Sequence, residues 1–275
     1  MKKVFTLLLL ALTSNLSFAQ DQVFFKNTTF ENADFSVVID NASSTYGEAK
    51  FKIQITNKTS DFLILKPAEC VFKINGKNFS SIDNDLFIPP NSTDSRNMSL
   101  PGTNFNKVQN YSFVLSGLYK ISTSGTKFKA ADFKLPASEV LVFKAGDFFN
   151  CTMDTLIKTT DKTSVTFSCL YEGDKIGLID PSKTYLKVPN GNEYPNQKIN
   201  AANPATKSKS DILMLTKGQT IKTTLEWTKM PGGKGNDMAK LDLVVLFKET
   251  FGETTRQRLG GLVLELKYDE VKNKQ

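Results

Sequence analysis

Apolar and polar residues alternate along much of this chain. Clear examples are Phe35-Val37-Ile39, Phe51-Ile53-Ile55, Cys70-Phe72-Ile74 and Val165-Phe167-Cys169. A period of two is typical of strands that bury only one face. Turn-forming pairs such as Asn75-Gly76 and Asn190-Gly191 separate these segments. We find no convincing amphipathic helix, so the pattern predicts an all-β protein built from antiparallel β-sandwiches.

The two halves of the chain carry similar patterns. Sliding residues 35–72 onto 149–186 keeps the inward positions of three strands in phase. A slip of one residue would turn every side chain to the other face, so this parity indicates a repeated unit. Strands near Phe133 and Leu264 would close the two copies. We therefore predict tandem immunoglobulin-like domains at 20–136 and 137–275, although two generic strand patterns could also align in this way.

Four short segments carry a family resemblance. In chain order they are Ile55-Thr56-Asn57-Lys58-Thr59, Leu178-Ile179-Asp180-Pro181, the strand 186–191 ending in Asn-Gly, and the turn and strand at 215–227. Together they resemble the telokin-like, immunoglobulin-type domains of exported bacterial proteins of unknown function. The resemblance implies an immunoglobulin-like sandwich and export, and it implies no catalytic residues.

The N-terminus has the features of an export signal. Lys2 and Lys3 precede an apolar run, and Ser17-Phe18-Ala19 has the small-x-small form of a cleavage site. We predict a signal peptide at 1–19. A membrane anchor is the alternative, but the run is shorter than the roughly 20 apolar residues that a spanning helix needs. No cysteine lies near the cleavage site. The mature chain is thus expected in the periplasm or outside the cell, without a lipid anchor or a membrane span.

Composition argues against several classes of function. The chain contains no histidine, which excludes Ser-His-Asp and Cys-His catalysis. Lysines are scattered and only Arg96, Arg256 and Arg258 are arginines, which disfavours nucleic-acid binding. The acidic residues at one turn of the second half and in one loop of the first are more typical of solvated turns than of catalytic or calcium sites; they are Glu172, Asp174, Asp180, Asp83 and Asp85. We predict a non-enzymatic protein without cofactor or metal.

Two of the three cysteines suggest a disulfide. Cys151 and Cys169 occupy inward positions on consecutive strands, and a hairpin centred near Thr160 would place them opposite each other. A disulfide is predicted, with two buried free thiols as the alternative. Their counterparts in the first half are Val37 and Ile55, so the fold itself does not require the bond. Cys70 is expected to be a buried or edge thiol.

The remaining candidates concern partners. Val23, Phe24 and Phe25 are three adjacent apolar residues and predict an edge or interface strand. Trp227 alternates with Leu225, which favours a core position over a carbohydrate-stacking platform. The loop Pro231-Gly232-Gly233-Lys234-Gly235 lacks the spacing of a phosphate-binding loop.

We therefore predict an exported binding or scaffold protein of a bacterial envelope or surface, with a protein or polysaccharide partner. One alternative is a carbohydrate-binding module, which would need an exposed row of aromatic residues. The other is a periplasmic assembly chaperone that uses an edge strand.

Overall fold

The computed structural model describes residues 22–135, 141–202, 212–228 and 237–274. The predicted signal peptide, the predicted boundary at Pro136 and the loop 231–235 lie outside these residues. In the described ranges the secondary structure is strand, apart from four short 3-10 turns at Pro67–Glu69, Phe105–Lys107, Pro181–Lys183 and Lys272–Lys274. No helix in these ranges has the length and apolar character that a membrane span requires. The all-β fold predicted from the alternation is confirmed.

The described residues contain twenty-six strands in chain order. The first thirteen are β1 (Val23–Phe24), β2 (Thr28–Glu31), β3 (Phe35–Ser44), β4 (Glu48–Asn57), β5 (Phe62–Leu65), β6 (Val71–Ile74), β7 (Lys77–Phe79), β8 (Leu86–Ile88), β9 (Thr93–Pro101), β10 (Asn110–Leu115), β11 (Leu118–Ile121), β12 (Thr126–Phe128) and β13 (Phe133–Lys134). The others are β14 (Val142–Ala145), β15 (Phe149–Lys158), β16 (Thr163–Tyr171), β17 (Ile176–Ile179), β18 (Thr184–Lys187), β19 (Glu193–Pro195), β20 (Lys198–Ala202), β21 (Leu213–Leu215), β22 (Thr220–Trp227), β23 (Val244–Phe247), β24 (Phe251–Thr254), β25 (Arg256–Arg258) and β26 (Leu262–Lys267).

These strands form two compact units, and neither unit is a single stretch of chain. Unit 1 contains residues 22–59, 64–118 and 258–274. Unit 2 contains Ser60–Leu63 and residues 119–257. The chain passes from one unit to the other between Thr59 and Ser60, and again within β5, β11 and β25.

Unit 1 packs one sheet against another through aromatic residues. The first sheet has the order β1-β3-β4-β9, with β2 also paired to β3, and the second has the order β26-β10-β6-β7. Phe51 on β4 meets Phe72 and Phe113 of the second sheet at ring-centroid distances of 5.4 and 5.0 Å. All three side chains are buried, so the inward positions of the alternating pattern form the core.

Unit 2 follows the same plan. Its five-stranded sheet has the order β14-β15-β16-β22-β20, and its other two sheets are β13-β23-β18-β19 and β12-β24-β17-β21. Phe143 and Phe167 on the five-stranded sheet contact Phe247 on β23, with ring centroids 5.0 and 5.8 Å apart. The predicted register of the repeat also holds locally. Val37 pairs with Ile55 as Cys151 pairs with Cys169.

The closing strands differ from the tandem arrangement that the sequence predicts. β13, which contains Phe133, pairs with β23 in unit 2, and β12 pairs with β24 in the same unit. β26, which contains Leu264, pairs with β10 in unit 1. Residues 119–135, which the sequence assigns to the first domain, therefore belong to unit 2, and β26, which it assigns to the second domain, belongs to unit 1.

A short connection limits how the chain leaves β24. Only Thr255 separates β24 from β25. A hairpin needs at least about two loop residues to reverse the chain, so β25 cannot fold back onto β24. The sequence pattern identifies an inward-facing strand, but it does not identify the strand's partner.

Candidate functional site

An open groove in unit 2 arises where its closing segment leaves its partner strand. β12 pairs with β24 as far as Phe128, and β13 resumes pairing with β23. Between them, Ala130 instead forms a bridge to Ala145 on β14. The facing corner of the partner strand turns at Glu249, which adopts a positive φ of 57°. The separation leaves a groove of about 850 Å³, within the range of ligand sites.

Aromatic packing fixes one wall of this groove. The Phe128 ring lies 5.6 Å from that of Phe148 and 6.3 Å from that of Phe149. Gly146, at φ 56°, passes so close to Phe128 that an added Cβ would lie 2.9 Å from the ring. The Gly146 amide also donates to the Lys129 carbonyl at 3.2 Å. These contacts fix the backbone around Lys129, one of the lysines that line the groove.

The groove carries more positive than negative side chains. Its charged residues are Lys127, Lys129, Lys187, Lys248, Asp132, Glu193 and Glu249. Lys248 is ion-paired with Glu193, which raises the pKa of the ammonium group, and its Nζ lies 5.0 Å from the centroid of the Tyr185 ring. The other three lysines are exposed and have no ion-pair partner among the described residues. They are therefore available to an acidic ligand.

The acidic residues singled out in the sequence do not come together. Asp174 pairs with Lys217 at 2.6 Å, which lowers the pKa of its carboxyl group. Asp180 accepts a hydrogen bond from the Ser182 amide at 3.1 Å. Asp83 accepts one from the Ser99 amide at 3.0 Å in unit 1. Each acid has its own structural partner, and no group of three or more Cys, Asp or Glu in the described ranges could hold a metal ion.

A buried polar cluster in unit 2 was not found from the sequence. The Tyr171 hydroxyl donates to Glu253 Oε1 at 2.6 Å, and Lys175 Nζ lies 2.9 Å from Glu253 Oε2. Burial raises the pKa of Tyr171, and the Glu253 carboxylate raises it further. A Cβ added at Gly173 would lie 2.3 Å from the Tyr171 hydroxyl. The cluster is closely packed and offers no room for a substrate. The sequence feature that could have revealed the cluster is Glu253, which lies two residues after the apolar Phe251 and therefore on the same inward face of a strand.

Two cysteines form the predicted bond. Cys151 and Cys169 are joined by a disulfide across neighbouring strands, with their Cα atoms 4.1 Å apart. Cys70 is fully buried in unit 1, and burial raises the pKa of its thiol to about 11. Because a thiol reacts as its thiolate, burial and the raised pKa both lower the reactivity of this residue at neutral pH.

The predicted interface strand is largely internal. Val23 and Phe24 are half-buried and pair with β3. Phe25 is fully buried, with its ring edge-on to Tyr111 at 4.8 Å, so it is a core residue and not an exposed interface residue. On the outer side, the Phe24 amide donates to Asn273 Oδ1 at 2.8 Å, and Asn273 Nδ2 donates back to the Phe24 carbonyl. The C-terminal residues of unit 1 already use this edge.

Trp227 is a core residue, as its alternation with Leu225 predicts. It is fully buried, and its indole Nε1 donates to the Tyr194 carbonyl at 3.1 Å. Among the tyrosines of the described ranges, only Tyr46 is largely exposed. The described part of the chain therefore has no exposed row of aromatic side chains.

Comparisons with known proteins identify no family. No protein-family model matches the chain, and no curated protein matches it. Weakly similar solved structures include a red sea bream transglutaminase, at 8% identity and a TM-score of 0.19, and the exo-chitosanase CsxA of Amycolatopsis orientalis, at 10% and 0.24. These alignments cover 88% and 85% of this chain, which spans 31% and 26% of those two proteins. Such low TM-scores carry no argument about fold or function.

Proposed function

We propose that this chain is an exported, non-enzymatic binding or scaffold protein of a bacterial envelope or surface. In this proposal it holds an acidic segment of a partner protein in the groove of unit 2. The observation that carries it is the group of three exposed lysines, Lys127, Lys129 and Lys187, along an open groove with a fixed wall. Export and kinship with telokin-like domains belong to the same proposal and rest on the sequence.

Several observations support binding over catalysis. The acids noted in the sequence each serve a turn or an exposed ion pair, and the Tyr171–Glu253 cluster is closed to solvent-borne substrates. The chain has no histidine to act as a base near neutral pH. A protein partner is favoured over a glycan because Trp227 is buried and the described tyrosines are dispersed. Sugar-binding sites commonly use exposed aromatic rings.

The assembly-chaperone alternative has less support. It requires an edge strand that is free to pair with a client. The candidate strand at Val23–Phe24 has β3 on one side and hydrogen bonds from Asn273 and Asp269 on the other. A client would first have to displace these contacts.

The test is cross-linked co-purification from the envelope of the native host, using the mature chain tagged at its C-terminus. One variant carries Lys127→Gln, Lys129→Gln and Lys187→Gln. The control carries Lys73→Gln, Lys77→Gln and Lys107→Gln, which removes the same charge from unit 1. We expect one dominant protein partner that is lost with the groove variant, retained with the control and weakened by added salt.

A direct titration separates the two kinds of partner. Poly-L-glutamate and polygalacturonate carry similar charge on a peptide and on a sugar backbone. Tighter binding of poly-L-glutamate that depends on the groove lysines supports the proposal. Preference for polygalacturonate, or recovery of polysaccharide alone from the envelope, would move the assignment to glycan binding. Equal recovery of the partner with both triple variants would exclude the groove as its binding site.

A further inference from the structure

The C-terminal arm of the chain begins after a flexible pair of glycines. We define the arm as residues 262–274, which follow Gly260 and Gly261. Gly260 has a φ of 89°, and an added Cβ there would meet no atom within 4 Å. The pair connects Leu259, which follows β25, to Leu262, the first residue of β26. The pair can therefore act as a hinge, because glycine tolerates a wide range of backbone angles.

The arm supplies a large part of the closure of unit 1. β26 pairs with β10 at six successive positions, from Asn110↔Lys267 to Leu115↔Leu262. Leu264 and Leu266 are buried in the core. Beyond the strand, the Asp269 amide donates to the Phe24 carbonyl at 2.9 Å, and Asn273 contacts the same backbone. Without the arm, the edge of β10 and the outer side of β1 would both be open.

We propose that this arm is exchanged between two copies of the chain, so that unit 1 of each copy is closed by the arm of the other. The cleft that receives the arm is built from residues 22–118, while the arm arrives from the far end of the chain. A second copy's arm makes the same pairs and buries the same leucines. Exchange of an identical element is a low-cost route to a dimer for this reason.

Concentration sets the balance between the two arrangements. Because the arm is tethered to its own chain, its effective concentration at its own cleft is on the order of millimolar, as for other short flexible connections. Exchange is therefore favoured where copies are crowded. A reciprocal dimer also presents two copies of the unit 2 groove, which suits a scaffold. The arm and its cleft lie wholly in unit 1, so failure of the groove proposal would leave this inference unaffected.

The test uses a pair of opposing positions on the two strands. Ser112 on β10 lies directly opposite Glu265 on β26, with Ser112 Oγ 3.0 Å from Glu265 Oε1. Two differently tagged chains are co-produced, one carrying Ser112→Cys and the other Glu265→Cys, and are oxidised after purification at a chain concentration on the order of millimolar. We expect a covalent dimer on a non-reducing gel and a tryptic peptide pair that links positions 112 and 265.

Two controls make the outcome decisive. A chain that carries both substitutions, oxidised in dilute solution where its own arm is bound, should close within that chain, which shows that the register permits the bond. Replacing the Glu265→Cys partner by Val271→Cys, on an exposed arm residue beyond β26, gives the background from random collisions. Exchange predicts a 112–265 yield several-fold above this background. A yield at background, with efficient closure in the double variant, would overturn the proposal.

Discussion

Unit 1 and unit 2 bury equivalent positions on their central strands, but they stabilise them differently. The facing pair Val37 and Ile55 in unit 1 is a hydrophobic contact, whereas the equivalent Cys151 and Cys169 in unit 2 form a covalent bond. The surrounding strands keep the same register in both units. The comparison shows that the fold depends on apolar burial at these positions and that the disulfide adds stability to one unit only.

The buried tyrosines show a second difference. Tyr171 in unit 2 donates its hydroxyl hydrogen to Glu253, which is itself held by Lys175. Tyr111 in unit 1 is equally buried, but its hydroxyl has no hydrogen-bond partner among the described residues. A buried polar group that lacks a partner loses its contacts with water without replacement. A buried tyrosine hydroxyl therefore stabilises unit 2 and destabilises unit 1.

The largest expected effect comes from removing the closing strand of unit 1. Truncation after Arg258 removes β26, and unit 1 should lose its cooperative fold because the edge of β10 and its core are exposed. Amide hydrogen exchange would report the loss in residues 22–118. Trp227 is the only tryptophan and lies in unit 2, so its fluorescence should show that unit 2 stays folded.

A fragment of residues 20–136 provides the contrasting experiment. The tandem arrangement predicts that it folds alone. The observed pairing predicts that it folds only when a peptide of residues 256–275 is added, because that peptide contains β26. Independent folding of the fragment would contradict the exchanged strands.

The disulfide should give the next largest effect. Cys151→Val with Cys169→Ile gives unit 2 the residues that unit 1 uses at these positions. For a bond across a sequence separation of 18, the chain-entropy relation gives a loss of about 3 kcal/mol in the free energy of unfolding of unit 2. Denaturant unfolding followed by Trp227 fluorescence measures this. Unchanged stability would mean that better apolar packing offsets the lost cross-link.

Alkaline pH should weaken unit 1 through Cys70. The thiol has a pKa of about 11 in the folded chain, against 9.0 for the unperturbed group. Above pH 9 the unfolded chain releases this proton while the folded chain keeps it, so stability falls as the pH rises and the loss levels off above about pH 11. The full loss is between about 2 and 3 kcal/mol.

The Cys70→Ala variant isolates this effect. Urea unfolding of both proteins between pH 8 and 11, followed by hydrogen exchange in unit 1, should show a shallower fall for the variant. Tyr111 and Tyr171 also have raised pKa values, so both proteins retain that part of the alkaline loss. Parallel pH profiles would contradict the prediction.

The smallest expected effects are changes of opposite sign in the free energy of unfolding when each of the two buried tyrosines is replaced by phenylalanine. Tyr171→Phe should lower the free energy of unfolding of unit 2 by about 1 kcal/mol, because it removes a hydrogen bond to Glu253. Tyr111→Phe should leave unit 1 unchanged or raise its stability by up to about 1 kcal/mol, because it removes a buried hydroxyl without a partner. Equal losses in both variants would show that both hydroxyls are satisfied.

The local alternation of apolar and polar residues was enough to predict much of the fold. The alternation at Phe35-Val37-Ile39 and its equivalents predicted strands, and all these side chains are buried. The Cys151–Cys169 pairing followed from parity within one hairpin, where the two strands are close in sequence. The groove of unit 2 was not predicted. It depends on the Ala130–Ala145 bridge and on the corner at Glu249, which join segments distant along the chain.

The sequence by itself determined which residues of the central strands face inward, where the chain turns, and that histidine chemistry is absent. These properties depend on side-chain period and composition, which are local. The tertiary structure alone decided that β13 closes unit 2 and that β26 closes unit 1. Two strands that each carry an apolar face can close the same open edge of a sandwich. The choice between them rests on backbone pairing between segments distant along the chain, which alternation does not encode.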